Sequence, residues 1–199
     1  MATPTITVML AGVGGQGTIL AADVLAKTAV AAGLDVKLSE VHGMAQRGGS
    51  VDTAVRFGES VASPITDPGC ADHLVAFEMI EAARQLPYVK PGGRLLVNSR
   101  IIDPLPVLIG DTEPPTGVEE ALVDAGAIFM DAEELACEAG SPKSANIVLL
   151  GALSTGLEFP VELWTGVISA RVPTASVEFN LRAFELGRRA CGEGGACLV

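Results

Sequence analysis

The chain alternates between short apolar runs of strand length and longer apolar stretches of helical length. Ile6 to Ala11 is apolar except at Thr7 and predicts a buried strand. Thr18 to Ala32 carries only four polar residues, Thr18, Asp23, Lys27 and Thr28, and predicts a helix covered on most sides, with Gly33 as its C′ residue. Asp23 and Lys27 are four apart with the acid first, the favourable order for a helical pair. Val36 to Leu38 predicts a short second strand. Val51 to Phe57 then alternates, with Val51, Thr53, Val55 and Phe57 on one face and Asp52, Ala54 and Arg56 on the other. No helix fits between these two strands, so an antiparallel neighbour is the simpler connection and the sheet is expected to be mixed.

Prolines and glycines break the chain at Ser63-Pro64 and Asp67-Pro68-Gly69. A strand is expected at His73–Phe77, a helix at Glu78–Leu86, a turn at Lys90–Gly93 and a strand at Arg94–Asn98. The segment 103–117, with four prolines, reads as a surface connection. A helix at Val118–Asp124 and a strand at Ala127–Met130 follow. Asp131 with Glu134 has the spacing of a capping box. Beyond residue 130 no strand is evident, and helices are expected over Ala145–Leu157, Val161–Arg171 and Thr174–Cys191. The order predicts an α/β fold: a three-layer Rossmann-like domain with a mainly parallel but mixed sheet and a helical C-terminal region. One domain is expected over residues 1–190, with a flexible tail at 191–199.

Composition narrows the function. Of the 199 residues 49% are hydrophobic but only 4% aromatic, so aliphatic side chains must fill the core. The net charge of −11 argues against nucleic acid and anionic membrane surfaces as partners. No apolar stretch reaches the roughly 18 uncharged residues of a spanning helix, and the N-terminus lacks a basic signal region, so a cytoplasmic location is expected. Cys70, Cys137, Cys191 and Cys197 form no C-x-x-C pair and have no His at ligand spacing, which argues against a structural zinc or an iron–sulfur cluster in this chain. Cys191 and Cys197, in a glycine-rich end, read as free thiols.

Two stretches carry the candidate chemistry. After the first strand, Gly12, Gly14, Gly15 and Gly17 fall within six residues, and Gly12, Gly14 and Gly17 satisfy G-x-G-x-x-G. Glycine there permits positive φ and close approach to the backbone, and the amides of the following helical turn suit negative charge. The second stretch, Ser39 to Ser50, is dense in glycine and polar residues, a composition that brings backbone near a ligand or another chain. If strands one and two are parallel, it leaves the sheet on the same side as the glycine turn, where α/β sheets bind ligands. Glu40 sits where a dinucleotide-binding protein has its ribose carboxylate, or is a solvated strand-end charge. His42 is a hydrogen-bonded loop residue or a base. Arg47 holds a phosphate or carboxylate, or braces Glu40. Gln16 caps the glycine turn, while Asp72-His73 reads as packing.

The chain lacks G-x-S-x-G, H-E-x-x-H, G-x-x-x-x-G-K-[ST] and a thiamine-diphosphate fingerprint. G-V-G-G-Q-G-T followed by S-E-V-H-G-M-A-Q-R-G-G-S-V resembles the gamma component of the 2-oxoacid:ferredoxin oxidoreductases, in wording closest to the arylpyruvate branch. The resemblance extends through L-P-Y-V-K-P-G-G at Leu86–Gly93, A-N-I-V-L-L-G-A-L at Ala145–Leu153 and N-L-R-A-F-E-L-G at Asn180–Gly187. It implies a subunit of an enzyme that oxidatively decarboxylates an arylpyruvate such as indolepyruvate with coenzyme A, reducing ferredoxin. It further implies that thiamine diphosphate with Mg and the iron–sulfur clusters belong to a large partner subunit, with no cofactor bound and no catalytic residue supplied by this chain alone. The residues expected to face ligand or partner are Gly12, Gly14, Gly15, Gln16, Gly17, Ser39, Glu40, His42, Gln46, Arg47, Gly48 and Gly49. The competing readings are a free-standing NAD(P)-binding oxidoreductase and a non-catalytic scaffold subunit.

Overall fold

The computed structural model describes residues 4–43 and 48–192, so Gln46, Arg47 and Cys197 lie outside the described residues. The strands are β1 (Ile6–Val13), β2 (Asp35–His42), β3 (Ser50–Gly58), β4 (Ala71–Ala76), β5 (Val89–Asn98) and β6 (Ile128–Met130). The helices are α1 (Thr18–Ala31), α2 (Met79–Gln85), α3 (Leu105–Leu108), α4 (Val118–Asp124), α5 (Ala132–Ala139), α6 (Ala145–Ser154), α7 (Val161–Arg171) and α8 (Val177–Cys191). The strands form one sheet in the order β2-β3-β1-β4-β5-β6. β3 runs antiparallel to both β1 and β2, whereas β1, β4, β5 and β6 are mutually parallel. Because β3 opposes both neighbours, β1 and β2 point the same way, and both end on the edge that carries the glycine turn. The expected mixed sheet is therefore observed.

The alternation in β3 sorts the layers. Val51, Thr53, Val55 and Phe57 are all buried. Val55 and Phe57 join Val8, Leu10, Val75 and Leu96 in the larger core, which α1 and α5 to α8 cover. The opposite face contributes Met9, Ala11, Leu74, Ala76, Leu95 and Val97 to a smaller core under α2 and α4. Phe57, Phe159, Trp164 and Phe184 form a chain of tilted rings with centroids 5.3 to 6.0 Å apart, so few aromatics knit the large core.

Every residue of α6 from Asn146 to Ser154 is buried, and α6 meets α8 through two glycines. A Cβ on Gly151 would lie 2.1 Å from the Phe184 carbonyl oxygen, and one on Gly187 would lie 1.9 Å from that of Val148. The two helices touch backbone to backbone.

Four expectations change. β2 runs from Asp35 to His42, so Ser39, Glu40 and His42 belong to a strand and only the hairpin tip is loop; pairing with β3 extends the strand beyond its apolar residues. β5 begins at Val89 and takes in the Lys90–Gly93 turn as an irregularity opposite Ala71–His73, with Gly92 at positive φ. α1 is covered on one side only, with Ile19 and Val30 exposed. Cys191 is the buried last residue of α8 and is not a free thiol. Gly33, by contrast, follows α1 at φ 84° as expected.

Adding one methyl at the α6–α8 crossing forces the helices apart. Gly187→Ala is expected to destabilise the chain by about 1–3 kcal/mol, the usual cost of overpacking. At about 2–4 °C of melting temperature per kcal/mol for a chain of this size, thermal unfolding followed by circular dichroism reads this directly; an unchanged melting curve would contradict the close crossing.

Candidate functional site at the glycine edge of the sheet

The two glycine-rich stretches bond to each other. Past the last β1–β3 pair, Val13 with Ser50, the Gly14 N–H donates to the Gly49 carbonyl at 2.8 Å and the Gly48 N–H to the Gly14 carbonyl at 3.4 Å. The β2–β3 hairpin thus continues the antiparallel ladder over the start of the turn. Gly15 and Gly17 have φ of 104° and 79°, a region costly for other residues. Gly17 is the N-cap of α1. Its carbonyl accepts from the Ala21 N–H and from the Asn146 side-chain amide, both at 3.1 Å.

Gln16 holds the turn from inside. Its Oε1 accepts from the Val13 N–H at 2.8 Å and its Nε2 donates to the Phe77 carbonyl at 2.9 Å, which ties the end of β1 to the chain after β4. The Phe77 carbonyl also receives Asn98 Nδ2 at 3.0 Å. Asn98 Nδ2 donates further to Glu133 at 2.9 Å, and Asn98 Oδ1 accepts the Ala132 N–H at 3.0 Å. Arg100 pairs with the other Glu133 oxygen at 2.7 Å. A continuous polar network therefore runs along the C-terminal ends of β1, β4 and β5.

That edge holds two clefts. A cleft of about 710 Å³ lies between the turn and the network, lined by Gly14 to Gly17, Gly48, Phe77, Asn98, Arg100, Glu133, Lys143 and Asn146 among others. A second, of about 430 Å³, lies on the hairpin side against Gly14, Gly15, Gly17, Thr18, Ile19, Glu40, His42 and Gly43. The glycine turn is the wall between them. The larger cleft sits where the strand order departs outward on both sides of β1, the location at which open α/β sheets bind ligands. Among the described residues Arg100 and Lys143 are its cations and Glu133 its one carboxylate. Among the described residues Lys143 makes no ion pair.

Buried acids brace the hairpin root from the other face. Ser50 Oγ donates to Glu81 at 2.6 Å, and Arg84 approaches the same Glu81 oxygen at 3.4 Å. Burial raises the Asp52 carboxyl to about 6; the Glu81 carboxylate adds to the rise, while the Gln85 hydrogen bond and the Arg84 charge oppose it. Burial likewise raises Glu78, which caps α2 by accepting the Ile80 and Glu81 N–H groups. His73 is driven down to about 4 by burial and then by the Arg94 charge, so it sits neutral in the sheet as the packing reading expects.

The structure brings Gly14, Gly15, Gln16, Gly17, Glu40, His42, Gly48 and Gly49 to one edge. Gly12 serves packing: paired with Val51 inside the sheet, it has no room for a Cβ, which would lie 2.7 Å from Gln16 Oε1 and 2.9 Å from Phe77 Cβ. Ser39 faces the opposite side of the sheet, lining a separate cleft with Met9, Asp52 and Gln85. Glu40 lies 3.9 Å from His42 Nε2. Asn98, Arg100, Glu133, Lys143 and Asn146 escaped the sequence reading. Asn146 had a signal, since it is the second residue of the A-N-I-V-L-L-G-A-L block; the others stand in segments without a motif.

Comparison with known proteins assigns the class. The chain matches the family described as Pyruvate ferredoxin/flavodoxin oxidoreductase over residues 7–190 and belongs to it. The gamma subunit of a keto/oxoacid ferredoxin oxidoreductase from Geobacter sulfurreducens superposes with a TM-score of 0.68 at 26% identity, covering 92% of this chain and 96% of that one. Within the family, the chain is 44% identical over 193 residues to the indolepyruvate oxidoreductase subunit IorB of Thermococcus kodakarensis, covering 94% of this chain and 96% of the relative. It is 40% identical to the subunit of the same name in Pyrococcus horikoshii, with the same coverage. The 2-oxoglutarate synthase subunit KorC of Methanothermobacter thermautotrophicus is more distant, at 30% identity, with 94% of this chain and 95% of the relative covered.

Asp52 gives the site's support a pH signature. Its folded-state value is raised, so its contribution to stability is fully present below about pH 4 and is lost as pH rises through about 6. Asp52→Asn removes the titration. The urea midpoint of the variant relative to wild type is expected to increase between pH 4 and pH 7; a pH-independent difference would show that Asp52 titrates normally.

Proposed function

We propose that the chain is the smaller, active-site-closing subunit of a ferredoxin-dependent 2-oxoacid oxidoreductase that acts on arylpyruvates such as indolepyruvate. The reaction consumes the 2-oxoacid and coenzyme A, releases carbon dioxide and the aryl-acetyl-CoA, and passes two electrons to ferredoxin. The observation that carries this reading is the bonded pair of glycine stretches, walling two clefts at the strand ends, in a chain closely similar to indolepyruvate oxidoreductase subunits.

Thiamine diphosphate with Mg and the iron–sulfur clusters are assigned to the large partner subunit, where they supply the carbanion and electron-transfer chemistry. The donor set here does not fit them. Among the described residues no three His, Cys, Asp or Glu side chains gather as a metal site, and the free cysteines Cys70 and Cys137 are exposed. What this chain supplies is enclosure and charge. Lys143, Arg100 and the amides at the start of α1 offer an anion-attracting wall suited to the phosphates of coenzyme A. Leu20, Phe77 and Leu149 form the apolar side of the same cleft. Closing such a cleft excludes water and strengthens the charges inside it.

The dinucleotide alternative fares worse on geometry. β3 separates β2 from β1, which sets Glu40 two strand spacings, roughly 9–10 Å, from the strand that feeds the glycine turn. Gly14 also spends its N–H and carbonyl on the hairpin.

Two measurements test the proposal. The chain purified alone is expected to show no turnover of indolepyruvate and to regain it with the large subunit; activity alone would refute the division of labour. In the reconstituted complex, Lys143→Ala is expected to raise KM for coenzyme A about tenfold, the loss of one charge-assisted contact, with kcat within twofold. Unchanged kinetics would instead favour a scaffold role.

A further inference from the structure

The segment leaving β5 is built as a surface. From Arg100 the chain runs through Ile101 to Gly117 before α4, and it is fixed at both ends. The Met79 N–H donates to the Arg100 carbonyl at 2.8 Å, and Leu122 of α4 is fully buried in the smaller core. Between these anchors the backbone satisfies itself: Leu108 N–H to Pro104, Ile109 N–H to Leu105 and Asp111 N–H to Pro106, at 2.8 to 3.1 Å. The one-turn helix α3 nevertheless buries none of its residues. Ile101, Leu105, Leu108 and Ile109 are 55, 68, 68 and 61% exposed. Leu105, Leu108 and Ile109 share one side of the turn by their i, i+3, i+4 spacing. With Val123 they make five of the twelve large exposed apolar side chains among the described residues. An ordered turn that hides its backbone and shows its apolar side chains is preorganised for a partner, because little chain entropy remains to be lost on docking.

Charge says what kind of partner. Residues 101–124 hold six acidic residues, Asp103, Asp111, Glu113, Glu119, Glu120 and Asp124, and no Lys, Arg or His. That is more than half of the net charge of −11. All six are exposed. A second copy of this chain meeting the patch symmetrically would place like charges together. We propose that this acidic, apolar strap docks a protein surface that presents apolar side chains flanked by lysine and arginine, and that this surface belongs to the large partner subunit. The inference rests on the functional reading above. It also places the docked subunit beside the larger cleft, since Arg100 and Ile102, at the base of the strap, line that cleft.

The test uses the complex co-expressed with its large subunit, with dissociation constants from analytical ultracentrifugation. Leu105→Ser with Leu108→Ser is expected to weaken association at least tenfold. Glu119→Lys with Glu120→Lys is expected to weaken it at least fivefold at low salt and less at 0.5 M, where charges are screened. Both pairs are exposed, so melting temperatures should stay within about 2 °C of wild type, in line with the small effect of surface substitutions. Association within twofold of wild type in both variants overturns the inference while leaving the functional reading intact. A homodimer of the chain that the serine variant dissolves also overturns it, in favour of a second copy. Failure of the wild-type chain to bind a thiamine-bearing subunit overturns the functional reading and this inference together.

Discussion

The exchange of backbone hydrogen bonds between Gly14 and the Gly48–Gly49 pair is the constraint on which the glycine edge of the sheet depends. It exists because β3 enters the sheet between β1 and β2 and runs against both, so the hairpin must turn back directly above the end of β1. A parallel crossover there would carry the second strand away through a helix and leave the turn bare. With the hairpin seated, the turn is held from three directions: by the hairpin, by the Gln16 side chain beneath, and by the Asn146 amide from α6. Backbone and amide groups make all of these bonds, so the edge keeps its shape independently of any charge that enters the clefts.

The support for that edge lies some distance away. α6 brings Asn146 to the glycine turn at its N-terminal end, and α6 is positioned by its backbone contact with α8 at Gly151 and Gly187. The small residues of the C-terminal helices therefore serve the site without touching it. The buried acids under the hairpin act in a similar way from the opposite face, with Ser50 and Glu81 holding the strand that follows Gly49.

Much of this was legible in the sequence, for reasons that differ by element. The β3 alternation, the short spacing before it and the strand-to-helix glycine run have strong periodic or steric signatures, and they yielded the mixed sheet and the shared edge. The length of β2 was hidden because Ser39, Glu40 and His42 are polar; those residues become strand through pairing with β3, a tertiary effect that local pattern does not report. Face assignment followed from that error, since treating Ser39 as loop concealed that it points away from Glu40. The far wall of the larger cleft, Asn98 with Arg100, Glu133 and Lys143, comes from three separate segments. Only the fold assembles it, and single polar residues at strand ends look like ordinary solvated positions. Gly12 shows the converse: a motif glycine whose constraint is packing.

The partition between the two clefts contains no side chain at Gly15, where a Cβ would meet nothing within 4 Å. The residues that line both clefts are all glycines, Gly14, Gly15 and Gly17. The side chains that distinguish the two clefts therefore stand on the outer linings, with Leu20, Phe77 and Leu149 on one flank and Glu40 and His42 on the other. An occupant of either hollow would meet bare backbone on the shared flank and side chains chiefly on the far one.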